Sequence, residues 1–176
     1  ISIIIVNYNG AAYLPECLDS IFNHDCKSSY EIILIDNQSK DDSKSVLETY
    51  KDRMTIIYHD TNVGFAMGNN IAFKQAKGEF VFMLNNDTVM HEGVLDTLRE
   101  YLITNPHVGS VSPKLLNTDG SIQTHGSSLT AYRYRAKKAK KVPFVIGAAV
   151  MMQSKLYDHI GGLDENYFFY NDDIDL

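Results

Sequence analysis

Four short runs of apolar, mostly β-branched residues alternate with segments of helical periodicity, and this rhythm constrains the fold more than any other feature: Ser2 to Val6, Glu31 to Asp36, Met54 to His59 and Phe80 to Asn85. The runs are too continuous for a sheet with one wet face, so they predict a parallel sheet covered by helices on both sides. Between the first two, Tyr13, Leu14, Cys17, Leu18, Ile21 and Phe22 recur at three-to-four-residue spacing and form one apolar stripe. Ser39 with Asp42 reads as a variant capping box opening a helix from Asp42 to Tyr50. Further helices are expected from Gly64 to Ala76 and from Gly93 to Asn105, the latter turning Val94, Leu95, Leu98, Tyr101 and Leu102 inward. After Pro106 the rhythm breaks. Val108 to Leu116 reads as a strand and Asn117 to Gly120 as a turn, followed by a polar stretch that ends in Arg133, Arg135, Lys137, Lys138, Lys140 and Lys141. Six cations so close together make a solvated loop by default, with an acceptor-phosphate or partner-contacting loop as the alternative.

With 176 residues, 44% of them hydrophobic, the chain can bury one sizeable core and reads as a single domain. Its formal charge of -6 opposes a general role on nucleic acid or an anionic membrane, since either needs a cationic face. Cys17 and Cys26 are the two cysteines, too few and wrongly spaced for a zinc site or a disulfide framework. The longest apolar runs, Ile3 to Val6 and Val145 to Met152, fall far short of the roughly 20 residues of a membrane-spanning helix. Ile1 lies already inside a strand-like run and Leu176 at what looks like the start of a helix, so the sequence is expected to be a piece of a longer chain, cut at its C-terminus.

In doubly wound sheets the ligand sits beyond the carboxyl ends of the strands. Here those ends carry Asn7, Tyr8, Asn9 and Gly10; Asp36, Asn37, Gln38 and Ser39; Asn62, Val63 and Gly64; and Asn85, Asn86 and Asp87. Each group alone is ordinary turn chemistry, whereas four at one sheet edge point to a site. No GxGxxG or GxxxxGK[ST] occurs, which disfavours a dinucleotide or P-loop site. Asp36 could accept hydrogen bonds from a ribose or a base edge, and Tyr8 could stack on a base. None of these strand-end residues is a lysine or arginine that could meet phosphates, so a divalent cation, magnesium or manganese, is the expected neutraliser, with Asp87 as its ligand.

The stretches Ile3-Ile4-Ile5-Val6-Asn7-Tyr8-Asn9, Ile35-Asp36-Asn37-Gln38-Ser39, Asn62-Val63-Gly64-Phe65, Leu84-Asn85-Asn86-Asp87-Thr88 and Asn171-Asp172-Asp173-Ile174-Asp175-Leu176 together resemble family-two glycosyltransferases, most closely their rhamnosyltransferase-like branch. The order and spacing of five motifs make the likeness far more specific than any one of them. The resemblance implies an α/β fold of the GT-A nucleotide-diphospho-sugar transferase type, a mostly parallel central sheet flanked by helices, with 1–105 as nucleotide-binding half and 106–176 as acceptor-side half. It implies donor contacts from Val6, Tyr8, Asn9, Asp36, Asn62, Gly64, Asn69, Asn85 and Asn86. Asn85-Asn86-Asp87 stands where the family has its DXD motif; asparagine replaces the first aspartate, and Asp87 keeps the metal position. Gly147 and Ala148 match a stretch passing near donor and acceptor, and Gly161-Gly162-Leu163-Asp164 a turn before the acidic pair.

The family's catalytic base falls on Asp172-Asp173. Asp172 and Asp175 share a helix face while Asp173 points roughly 100° away, free for a separate task; the bland reading is acids complementing a helix dipole. The implied reaction is inverting transfer from a UDP- or dTDP-linked sugar to a saccharide or lipid-linked saccharide in cell-surface polysaccharide synthesis, at a cytoplasmic location, peripheral at the inner face of the membrane. His125 is a weaker acceptor-side candidate. A sugar-nucleotide pyrophosphorylase would need cations in the loop Asn7 to Gly10, which has none; a catalytically silent nucleotide-sugar-binding module is the rival from another class.

Overall fold

In a computed structural model, which describes residues 1–124, 135–142 and 145–168, the expected rhythm forms one six-stranded sheet. The elements run β1 (Ser2–Asn7), α1 (Leu14–Phe22), β2 (Glu31–Asp36), α2 (Ser43–Glu48), β3 (Thr55–Tyr58), α3 (Gly64–Phe73), β4 (Phe80–Leu84), α4 (Val94–Thr104), β5 (Ser110–Val111), β6 (Ala149–Gln153) and α5 (Ser154–Ile160). The strand order is β3-β2-β1-β4-β6-β5. Pairs within β1 to β4 are parallel, whereas β6 runs antiparallel to both β4 and β5.

Alternate residues of each central strand enter different cores. Ile3, Ile5, Ile32, Leu34, Phe80 and Phe82 pack with the apolar stripes of α1 and α4, while Ile4, Ile33, Ile35, Val81 and Met83 pack with Ala66 and Ala72 of α3 and Tyr157 of α5. Both faces are dry, which is why the strands read as unbroken apolar runs. Within α1, Leu14, Cys17, Leu18 and Ile21 are buried, but Tyr13 stays 57% exposed at the helix entry, one residue outside the stripe expected of it.

Three expectations need correction. The strand foreseen from Val108 to Leu116 shrinks to Ser110–Val111, with an isolated bridge from Leu116 to Ile122, because Pro113 has no N–H to give a ladder. Ser39 does not cap α2, which ends at Glu48, short of Tyr50. The turn before α2 is closed instead by Asp41 Oδ1, accepting from Ser43 N at 3.0 Å. The apolar run Val145 to Met152, which pattern alone does not assign, contributes β6. Arg135 to Lys141 form an exposed loop, as its charge implies; Arg133 lies outside the described residues. Both cysteines are free thiols, and no helix among the described residues is long and apolar enough to cross a membrane.

Asp96, in the first turn of α4, ties down the loop between α1 and β2. It accepts from Ser28 Oγ at 2.6 Å, Lys27 N at 2.9 Å and Ser28 N at 3.1 Å. These donors, the Ser28 hydroxyl foremost, pull its carboxyl down to about 2. The unfolded value is about 3.9, so this stabilisation is complete above that pH and is lost as pH falls through about 2. Asp96→Ala should cost about 1 kcal/mol at neutral pH, less than is usual for bonds to a charged group because solvent screens the site. In urea unfolding, its gap from wild type should close between about pH 4 and pH 2; coincident curves at neutral pH would make the contacts incidental.

Candidate active site

The chain passes from β1 outward to β2 and β3, then returns to place β4 on the other side of β1. The order reverses between β1 and β4, so the crevice beyond their carboxyl ends is the place where an α/β sheet takes a ligand. Tyr8 and Asn9 leave β1 at that crevice, and Asn85, Asn86 and Asp87 leave β4.

The Asn7 side chain joins the three central strand ends. It is fully buried, and its Nδ2 donates to Asp36 Oδ1 at 2.8 Å and to Ser39 Oγ at 3.1 Å, while its Oδ1 accepts from Asn86 Nδ2 at 2.7 Å. Asp36 is 5% exposed, and its second oxygen accepts from Ser39 N at 3.2 Å. Ser39 Oγ also receives Asn9 N at 2.9 Å, and Asn9 Oδ1 receives Lys40 N at 2.7 Å, so the β1 and β2 loops are stitched together. Asn9 adopts φ 53° and Gln38 φ 66°, left-handed conformations that asparagine tolerates better than glutamine. Gly10 is required here: a Cβ would lie 2.2 Å from Asn86 Nδ2 and 2.3 Å from Asn7 Oδ1.

A second cluster forms at the ends of β2 and β3. Asn37 Nδ2 donates to Asn62 Oδ1 at 2.8 Å and to Gly64 O at 3.1 Å, and Asn37 Oδ1 accepts from Val63 N at 3.0 Å. Asn62 Oδ1 also accepts from Gly64 N at 3.0 Å. Asp36 and Asn86 thus belong to the first cluster and Asn62 and Gly64 to the second, and Tyr8 is 48% exposed. Val6 is half-buried under α3, where it sits against Gly68. Asn69 is buried, and its Nδ2 donates to Phe65 O of its own helix at 2.9 Å. On the other side Asn85 N donates to Ala148 O at 2.9 Å, so the antiparallel pairing of β4 with β6 carries Gly147 and Ala148 to the Asn85–Asp87 turn. Asp172, Asp173 and His125 lie outside the described residues. Asn7, Asn37 and Ser39 frame the site through side chains whose roles need tertiary contacts; their place at strand ends was the only signal.

Asp87 is exposed on its turn, and Asn85 Oδ1 is buried with no hydrogen-bond partner among the described residues. An oxygen in that state costs about 1 to 3 kcal/mol unless a donor or a cation meets it. One carboxylate and one amide oxygen on a single turn are hard donors and fit a magnesium or manganese ion that completes its shell with phosphate and water. No group of three His, Cys, Asp or Glu side chains suited to a metal occurs among the described residues. Behind the turn, burial pushes the Cys17 thiol up to about 11, so it is a neutral, structural group and no nucleophile.

A polar crevice at the switch point of a largely parallel sheet defines a ligand-binding protein of the doubly wound α/β class. The chain belongs to glycosyl transferase family 2, whose model matches residues 2–161. Glycosyltransferase GlyG of Streptococcus pneumoniae is 29% identical over 101 residues, 56% of this chain and 33% of its own length. A poly(ribitol-phosphate) beta-glucosyltransferase of Bacillus spizizenii is 38% identical over 92 residues, 49% of this chain and 14% of its own. The O-antigen biosynthesis protein RfbC of Myxococcus xanthus aligns with all of this chain at 26% identity, over 15% of its own length. The chain thus spans a third or less of these curated relatives. The fold matches Staphylococcus aureus TarS in complex with UDP (TM-score 0.79, 20% identity, 98% of this chain and 52% of that one). It equally matches the mannosyltransferase PcManGT of Pyrobaculum calidifontis, solved with GDP-Man and Mn2+ (TM-score 0.79, 24% identity, 98% and 49%). These likenesses establish the GT-A fold.

Asn7→Ala should destabilise the protein by about 1 to 3 kcal/mol, because it strands the buried Asp36 carboxylate and frees Asn86. Urea unfolding reads this directly; an unchanged midpoint would mean that Asp36 and Asn86 hold their places unaided.

Proposed function

We propose that this chain is the catalytic region of an inverting glycosyltransferase that moves a sugar from a UDP- or dTDP-linked donor to a hydroxyl of a saccharide or lipid-linked saccharide, in polysaccharide synthesis. The observation that carries the reading is the Asn7 hub, which fixes Asp36 and Asn86 on the two sides of the switch-point crevice. Relatives named for poly(ribitol-phosphate) glucosyl transfer and O-antigen biosynthesis, and structures solved with UDP or GDP-Man, support the donor and acceptor classes.

In this reading residues 1–105 bind the nucleotide and 106–176 face the acceptor. Asp36 accepts from the nucleoside, and Tyr8, exposed at the rim, stacks on the base. Val6, Asn9, Asn62, Gly64 and Asn69 shape the donor pocket. Asp87, with Asn85 beside it, would hold a magnesium or manganese ion, which when bound neutralises the charge on the diphosphate. Gly147 and Ala148 bring a small, side-chain-poor wall to the same turn, leaving room for an acceptor. Asp173 takes the acceptor hydroxyl proton as that oxygen forms its bond to the anomeric carbon. The bond from that carbon to the diphosphate oxygen breaks on the opposite face, and the diphosphate leaves with the electron pair. Asp172 supports the base from the preceding position. The protein would work in the cytoplasm, peripheral at the inner face of the membrane, where lipid-linked acceptors are presented.

Two substitutions in the full-length protein test this. Asp87→Ala should abolish the manganese dependence of UDP binding, since it removes the one carboxylate of the Asn85–Asp87 turn; calorimetry with and without manganese measures it, and an unaltered metal dependence removes Asp87 from the site. Asp173→Asn should keep donor affinity while transfer falls about 100-fold or more, the scale of a lost general base. If Asp172→Asn instead abolishes transfer and Asp173→Asn does not, the base is the earlier residue.

A further inference from the structure

We propose that helix α3 is the ruler that sets where the acidic segment enters the active site, with Asn70 as its positioning residue. The inference rests on the reading of Asp173 as base. Asn70 is 8% exposed, and both ends of its amide are fully used. Its Oδ1 accepts from Tyr157 Oη at 2.6 Å and from Leu163 N at 3.0 Å, and its Nδ2 donates to Leu163 O at 2.9 Å and to Glu165 Oε1 at 3.0 Å. An amide has two donors and two acceptor lone pairs, so the side chain is saturated, three of the four bonds going to the strap after α5. The preceding turn is built to meet it: Gly161 and Gly162 stand at φ 86° and 83°, and a Cβ on Gly162 would lie 2.3 Å from Asn70 Oδ1.

The strap is pinned again at the start of the same helix. Phe65 N donates to Phe168 O at 3.0 Å, and a Cβ on Gly64 would lie 2.4 Å from that oxygen. Asn70 and Phe65 are five residues apart, about 7.5 Å along the axis. Leu163 and Phe168 are also five apart, and could span about 17 Å if extended. The difference is taken up by a turn in which Tyr167 N donates to Asp164 O at 3.1 Å. The strap therefore runs antiparallel to α3, from Asn70 back to Gly64. It ends beside the cluster in which Asn37 Nδ2 bonds Gly64 O. Asp172 and Asp173 follow Phe168 by four and five residues in the sequence, so the pinned Phe168 is the last described anchor before them. All four bonds of the Asn70 amide go to Tyr157, Leu163 and Glu165 and none to the Asn7 or Asn37 clusters, which gives it leverage on proton transfer with no part in holding the nucleotide.

Peptide-resolved hydrogen exchange, steady-state transfer kinetics and UDP calorimetry on the full-length protein test this with Asn70→Ala and with Glu165→Ala, whose exposed side chain can be removed without opening the core. For Asn70→Ala, exchange over 161–168 should rise at least tenfold and kcat should fall about 10- to 100-fold, the scale of a misplaced reacting group. Donor KM and UDP affinity should stay within twofold. Glu165→Ala should move exchange and kcat in the same directions by smaller factors. Unchanged exchange in both variants overturns the ruler, as does a kcat loss matched by an equal loss of UDP affinity, which would mark Asn70 as merely structural. If Asp173→Asn transfers at the wild-type rate, the base assignment falls while the exchange result still decides whether α3 holds the strap.

Discussion

The buried amide of Asn7 is the contact on which the site depends. It stands where β1 ends between β2 and β4, and it satisfies Asp36, Ser39 and Asn86 at once. A polar group with no access to water must be paired or it costs the fold several hydrogen bonds' worth of stability, so each partner is held to one rotamer. The loops after three different strands then cannot drift independently. Gly10 follows from the same constraint, because any side chain there would occupy the space of the Asn7 to Asn86 bond.

Around this hub the frame is built from neutral amides and hydroxyls in place of cations. Asn7, Asn37, Asn62 and Asn86 donate and accept among themselves and to backbone groups, in a chain whose formal charge is -6. Such a frame fixes geometry without adding positive charge, and the hard oxygens of Asn85 and Asp87 lie on the turn that follows β4. Helix α3 carries the organisation further. Its apolar side seals the sheet face under β1 and β2, its first turn abuts the Asn37 and Asn62 cluster, and Asn70 grips the strap from the far end. One helix thereby links core packing, the polar cluster at the ends of β2 and β3, and the strap after α5.

How much of this was legible varied with the kind of interaction. β1, β2 and β4 were readable because burial on both faces leaves an unbroken apolar run, β3 because its short β-branched run stands out even at the half-exposed sheet edge, and α1 because Leu14, Cys17, Leu18 and Ile21 keep a single stripe. β6 was not, since an antiparallel strand arriving from a distant segment has no flanking helix rhythm to announce it. Val108 to Leu116 was over-read because an apolar pattern says nothing of whether a partner strand is present, and only Ser110 and Val111 find one in β6. Ser39 has the spacing of a cap, but Asn7 and Asn9 compete for its hydroxyl and win.

The sequence by itself determined the alternating architecture, the four polar strand ends and the acidic turn at Asp87, because periodicity and turn chemistry are local properties of the chain. Only the tertiary structure decided that Asn7 is the hub, that Asn69 turns back into its own helix while its neighbour Asn70 faces outward to the strap, and that Gly64 abuts the Phe168 carbonyl. Adjacent asparagines are indistinguishable in a sequence. What separates them is a rotation of about 100° per residue around α3, which puts one amide against its own backbone and the next against a segment more than ninety residues away.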